Sequence, residues 1–139
     1  MAHVLLATDA DWLFDDVDAA LGGPDMTLSR IHVGADVLSA AAELAPDLIV
    51  LDLQIGNMGG MAASLSVKED LDHDGLAETP VMILLDREDD VFLARRSEAD
   101  GWLVKPVDPI RLRRGVTELL AGRPYQEGWD EGGVTESAG

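Results

Sequence analysis

Two stretches of the chain are apolar almost without interruption: Asp47-Leu48-Ile49-Val50-Leu51-Asp52-Leu53 and Pro80-Val81-Met82-Ile83-Leu84-Leu85. A strand with one wet face alternates apolar and polar residues, whereas a continuous run belongs to a strand covered on both faces. Helices must then lie above and below it, as they do on a parallel sheet built with crossover connections. Val4-Leu5-Leu6-Ala7 predicts a first strand, Met26 to Val33 a second, and Gly101 to Val104 a short fifth. Trp12, Leu13, Val17, Ala20 and Leu21 recur at helical spacing, so a helix is predicted over 11–21, closed by Gly22-Gly23-Pro24. Further helices are predicted over 34–44, ahead of Pro46, and over 61–71, 89–99 and 107–121. A Gly-rich loop over 54–60 and a polar connection over 72–79 flank the helix over 61–71. The order βαβαβαβαβα gives one α/β domain over 1–121, a doubly wound five-stranded parallel sheet. A flexible, polar, Gly-rich tail is expected over 122–139.

Composition narrows the chemistry. With 47% apolar residues the 139-residue chain can bury a core. A net charge of −17 argues against unaided nucleic-acid binding, where Lys and Arg must neutralise phosphates, and against docking on an anionic membrane. Without cysteine there is no disulfide, thiolate metal site or cysteine nucleophile. Met1-Ala2-His3-Val4 lacks the basic segment and apolar stretch of a signal peptide, and no window reaches the ~18 apolar residues of a spanning helix. A cytoplasmic protein is expected.

In an open parallel sheet, ligands gather beyond the carboxyl ends of the strands. Thr8, Asp9 and Asp11 fall there after the first strand, Asp52 ends the third, Leu85 and Asp86 follow the fourth, and Lys105-Pro106 follows the fifth. Carboxylates facing a lysine suit a hard cation such as Mg²⁺ together with a phosphoryl group, whose charge the ammonium balances. An aspartate after a strand also serves as a helix N-cap, which is the simpler account of Asp11.

On these residues the chain resembles the receiver domains of two-component response regulators, over residues 3–121. Val4-Leu5-Leu6-Ala7-Thr8-Asp9 is similar to their first strand and acidic pair. Pro46-Asp47-Leu48-Ile49-Val50-Leu51-Asp52-Leu53 is similar to the strand carrying the phospho-accepting aspartate. Ala99-Asp100-Gly101-Trp102-Leu103-Val104-Lys105-Pro106-Val107 is similar to the fifth strand with its lysine-proline signature, and Asp52 and Lys105 stand 53 residues apart. The resemblance implies that Asp52 is the phosphorylatable position, Asp9 a magnesium ligand, and Gln54 the source of a backbone carbonyl to the metal. Lys105 would contact phosphoryl oxygens, and Trp102 takes the place of the aromatic that reorients on activation.

The departures carry information too. The acidic pair is reduced to Thr8-Asp9, and a threonine supplies no charge, so Mg²⁺ affinity should fall. Leu85 stands where the family has a hydroxyl that senses the phosphoryl group, and Ile55-Gly56-Asn57-Met58-Gly59-Gly60 lacks the family's proline. A ligand shifts an equilibrium only through differential contact with its two states, so the switch is expected to be broken. Asp9-Ala10-Asp11 also resembles the start of haloacid-dehalogenase-type phosphatases, but position 12 is Trp and the lysine comes last. A flavodoxin-like cofactor binder would need a Ser/Thr-rich phosphate loop that is absent here. Asp70-Leu71-Asp72-His73-Asp74-Gly75 opens like a calcium loop, yet its twelfth position is Val81, so a solvated acidic connection is the better account. His3, His32 and His73 share no ligand spacing, and Met58 and Met61 read as packing residues.

Residues 1–79 hold 15 acids and two bases, while 80–122 hold eight acids and seven bases. Arg95, Arg96, Arg111, Arg113 and Arg114 therefore make the last two helices the one relatively basic face, with Trp102 on the strand between them. In receivers this is the usual partner surface; a solvated face with weak ion pairs is the other reading. Tyr125 and Trp129 either anchor a segment that orders on a partner or fold back on the last helix. Partner docking is the reading preferred. With no room for an output domain after Ala121, a stand-alone receiver is expected, acting by protein contact as a subunit of a larger assembly and carrying out no catalysis. The resemblance extends to orphan mycobacterial-type receivers, which brings in a respiratory NADH dehydrogenase as a partner. The alternative is a working receiver phosphorylated on Asp52 by a histidine kinase.

Overall fold

The computed structural model describes residues 2–54, 79–97 and 99–127. Its elements are β1 (Ala2–Ala7), α1 (Asp11–Leu21), β2 (Met26–Ile31), α2 (Val37–Leu44), β3 (Leu48–Asp52), β4 (Val81–Leu85), α3 (Val91–Arg96), β5 (Gly101–Val104), α4 (Pro109–Leu120) and β6 (Tyr125–Gln126). Short 3₁₀ turns, Gly34–Asp36 and Glu88–Asp90, lead into α2 and α3, so both α-helices start later than the sequence pattern predicts. The predicted 61–71 helix, the Gly-rich loop from 55, the calcium-like segment and Trp129 lie outside the described residues.

The strands form one parallel sheet in the order β2-β1-β3-β4-β5-β6. Every residue of β3 and β4 is buried, as their unbroken apolar runs require. Side chains alternate between two cores. Leu5, Ile49, Leu51, Ile83 and Leu85 pack with Val37, Val91, Ala94 and Trp102 beneath α2 and α3. Leu6, Val50, Leu84 and Leu103 pack with Leu13, Val17, Leu112 and Val116 beneath α1 and α4. Helices thus cover both faces. The last helix opens with a designed-looking N-terminus, where Asp108 Oδ1 accepts from the Ile110 amide at 2.8 Å and Pro109 occupies the first turn.

The expected five strands are six, and the expected flexible tail begins as structure. After α4 the chain turns at Gly122, whose φ of 84° favours glycine, and β6 then runs parallel to β5. Tyr125 packs against the core beneath α4, so it folds back on the domain, the less favoured of its two readings. None of the described helices is long and apolar enough to cross a membrane.

Candidate functional site

Parallel registry brings the strand ends together. Leu51 of β3 pairs with Ala7 of β1, so Thr8 and Asp52 emerge side by side. Leu85 pairs with Val104, which sets Asp86 opposite Lys105. Asp52, 2% exposed, is the centre of the pocket. Its Oδ2 accepts from Thr8 Oγ1 at 2.7 Å. Its Oδ1 accepts from Lys105 Nζ at 2.7 Å and from the Gln54 amide at 3.0 Å. Lys105 Nζ also donates to Asp86 Oδ1 at 2.8 Å. Burial would lower the lysine's pKa, but hydrogen bonds and charge from Asp52 and Asp86 outweigh it and leave the pKa raised. The Trp12 ring centroid lies 6.0 Å from Nζ, so an exposed aromatic borders the ammonium.

Thr8 is fully buried and held from both sides: its hydroxyl accepts from the Ala10 amide at 3.0 Å while donating to Asp52. Asp9 follows it as an exposed residue. Asp11 is neither cap nor pocket carboxylate. Ala10 is the N-cap of α1, and Asp11 pairs with Arg30 at 2.9 Å. Arg30 also donates to the Thr8 carbonyl at 3.1 Å and stacks 5.2 Å from the Phe14 ring centroid, which fixes Asp11 outside the cluster.

Mg²⁺ wants near-octahedral oxygens, with carboxylates contributing directly. Here both oxygens of Asp52 already accept hydrogen bonds. No group of three or more acidic or histidine side chains able to hold a metal occurs among the described residues. Thr8 adds no charge beside Asp52.

On the outer flank, Leu85 is fully buried in the same packed cluster as Trp102 and offers no hydroxyl to the pocket. Trp102, expected on the partner face, is 2% exposed and lies beneath the returning tail. Its indole N–H donates to the Glu127 carbonyl at 2.8 Å, and its own carbonyl accepts from the Glu127 amide at 3.2 Å. Of the five arginines named on that face, Arg111 is engaged by the tail. Its Nε donates to Glu127 Oε2 at 2.6 Å, and its Nη2 donates to the Val104 carbonyl at 2.8 Å and to Glu127 Oε1. Arg95, Arg96, Arg113 and Arg114 are exposed, and Arg96 sits over the exposed Phe92 ring at 5.1 Å.

Two residues escaped sequence reasoning in these roles. The sequence sets Asp86 among the carboxylates at the strand ends without a role of its own, and the β4–β5 registry brings it to Lys105. Glu127 carries no local signal, because Arg111 and Val104, which hold its carboxylate, are 16 and 23 residues away on other elements, and nearby only the Tyr125 hydroxyl donates to it, at 3.3 Å. A cleft of about 400 Å³, lined by Glu88, Val104, Lys105, Pro106, Arg111 and Glu127, runs between that carboxylate and the pocket lysine.

The family model for the response regulator receiver domain matches residues 4–117. An uncharacterized response regulatory protein of Mycobacterium tuberculosis is 34% identical over 97 residues, 70% of each chain. Protein PilH of Pseudomonas aeruginosa is 26% identical over 124 residues, 88% of this chain and all of that one. The solved structure of chemotaxis response regulator CheY4 of Vibrio cholerae superposes with a TM-score of 0.74, covering 86% of this chain and 98% of that one. At 23% identity it speaks for the fold alone. A first-strand acidic position, an aspartate ending the third strand and a lysine-proline step ending the fifth thus stand in a matching family frame: the chain belongs to the response regulator receiver domains of two-component systems.

Proposed function

We propose that this receiver works by protein contact, as a regulatory or accessory subunit of a larger assembly, without depending on phosphorylation of Asp52. The observation that supports this is the 2.7 Å bond from Thr8 Oγ1 to Asp52 Oδ2. Thr8 there meets the carboxylate with a neutral hydroxyl, in place of a second charge that would help to hold the Mg²⁺ that phosphoryl transfer needs. Asp9 and Asp52 would hold Mg²⁺ weakly, since Thr8 brings no charge. Leu85 gives a phosphoryl group nothing to pull on, so modification would have little leverage on the partner face. The protein would then be cytoplasmic, at the cytoplasmic side of a membrane complex where its partner is one. Similarity to orphan mycobacterial receivers makes a respiratory NADH dehydrogenase the assembly to test first by co-purification.

One observation favours a second reading. Lys105 and Asp52 keep a 2.7 Å ion pair, so a histidine kinase would meet an intact acceptor and its lysine. The intact mass after incubation with Mg²⁺ and acetyl phosphate, with Asp52→Asn alongside, separates the two. No mass increase in folded protein supports phosphorylation independence, and a phosphoryl-sized increase in the wild type alone overturns it.

A further inference from the structure

The β5 edge of the sheet has an occupant from the same chain. Tyr125 and Gln126 pair with Gly101 and Trp102, and the segment is gripped at three kinds of contact. The backbone is read by Trp102, which bonds both the amide and the carbonyl of residue 127. The aromatic is read by a notch at Gly115, where an added Cβ would stand 2.9 Å from the Tyr125 ring. The carboxylate is read by Arg111 and by the Val104 amide, 3.0 Å from Glu127 Oε1. Burial alone would raise the pKa of Glu127, but the Arg111 and Val104 hydrogen bonds outweigh it and hold it low.

We infer that the β5 edge and the flank of α4 form a strand-docking site, held closed in cis by residues 125–127, whose trans occupant is an extended segment carrying an aromatic residue two positions before a carboxylate. The resident segment defines this chemistry, because backbone ladder, glycine notch and arginine clamp each select one of its features. Its hold is short. Two paired residues give little ladder, so much of the closure comes from tethering, which supplies a local concentration on the order of mM without strong contacts. A partner with the same pattern on a longer strand can therefore displace it. Displacement uncovers Trp102 and frees the Arg111 guanidinium, which suits an acidic segment. The device operates whether or not Asp52 accepts a phosphoryl group.

The test uses full-length chains, the wild type with Glu127→Ala and Gly115→Ala, checked for folding by circular dichroism. Hydrogen exchange across residues 101–105 should quicken in both variants, since each removes one grip on the tail. A labelled synthetic peptide of residues 123–127 should then bind Glu127→Ala about tenfold or more tighter than wild type, where the tethered copy competes. Replacing either the tyrosine or the glutamate of the peptide, or adding Arg111→Met to the Glu127→Ala protein, should abolish that binding. Gly115→Ala should open the tail yet refuse the peptide, because its methyl fills the notch. Unchanged exchange in Glu127→Ala overturns the latch. A Glu127→Ala protein that opens but binds no peptide, or open variants that dimerise through their own tails instead, overturn the assigned occupant.

Discussion

Thr8 donates its hydroxyl proton to Asp52 across 2.7 Å while accepting the Ala10 amide at 3.0 Å, so one side chain ties the first helix turn to the central carboxylate. A second acid in its place would repel Asp52 and draw in a cation. The hydroxyl instead satisfies the carboxylate without one. That difference makes the pocket a hydrogen-bonded cluster centred on Asp52, and it yields the first prediction.

Thr8→Val keeps the shape and removes the donor. Asp52 is buried, so losing a bond to a charged acceptor should cost about 1–3 kcal/mol, read by urea denaturation. Thr8→Asp should lower stability without Mg²⁺ through like-charge repulsion, and should tighten Mg²⁺ binding by roughly tenfold, measured as a metal-dependent rise in Tm.

Lys105→Met leaves Asp52 and Asp86, at the ends of neighbouring strands, with no cation between them, and should cost roughly 3–5 kcal/mol. Adding Asp52→Asn should recover part of that loss. The pH profile carries the same signature. Because the folded-state pKa of Lys105 is raised, its contribution is complete below the ordinary 10.5 and disappears as pH climbs through the raised value. The alkaline fall in stability should therefore be smaller in Lys105→Met than in wild type.

Glu127 titrates at the other extreme. Its folded-state pKa is lowered, so tail docking should be fully present above the ordinary 4.5 and should be lost as pH falls through the lowered value. Acrylamide quenching of Trp102, in a background lacking Trp12 and Trp129, should rise with acid over that range. Glu127→Gln should show elevated quenching already at neutral pH and no transition below it.

Asp108→Ala removes the side-chain cap of α4 and should cost about 1 kcal/mol by thermal denaturation. The pocket contacts should be unaffected, so the alkaline profile should keep its wild-type shape.

The parts of this molecule written locally were legible. Leu48 to Asp52 and Val81 to Leu85 read as strands because burial on both faces erases alternation, and α4 read as a helix from Val107 because its apolar residues recur at helical spacing. Asp52, Lys105 and Thr8 could be placed at neighbouring strand ends for the same reason. What depended on registry or on a distant partner was not legible. Asp86 meets Lys105 only once Leu85 pairs with Val104, and Asp11 turns to Arg30 because β2 carries that arginine alongside β1. Two-residue β6 has no period to detect, and its glutamate looks like any acid in a polar tail until Arg111 reaches it.

The brevity of β6 has a colloidal consequence. An uncovered β5 would offer Gly-Trp-Leu-Val as a four-residue apolar template to any exposed strand, the kind of edge that seeds aggregation. The chain covers it with two residues that follow Pro124, which cannot donate to a ladder, and precede the charged Glu127. This rim of the sheet is thereby too short to serve as a template for a further strand.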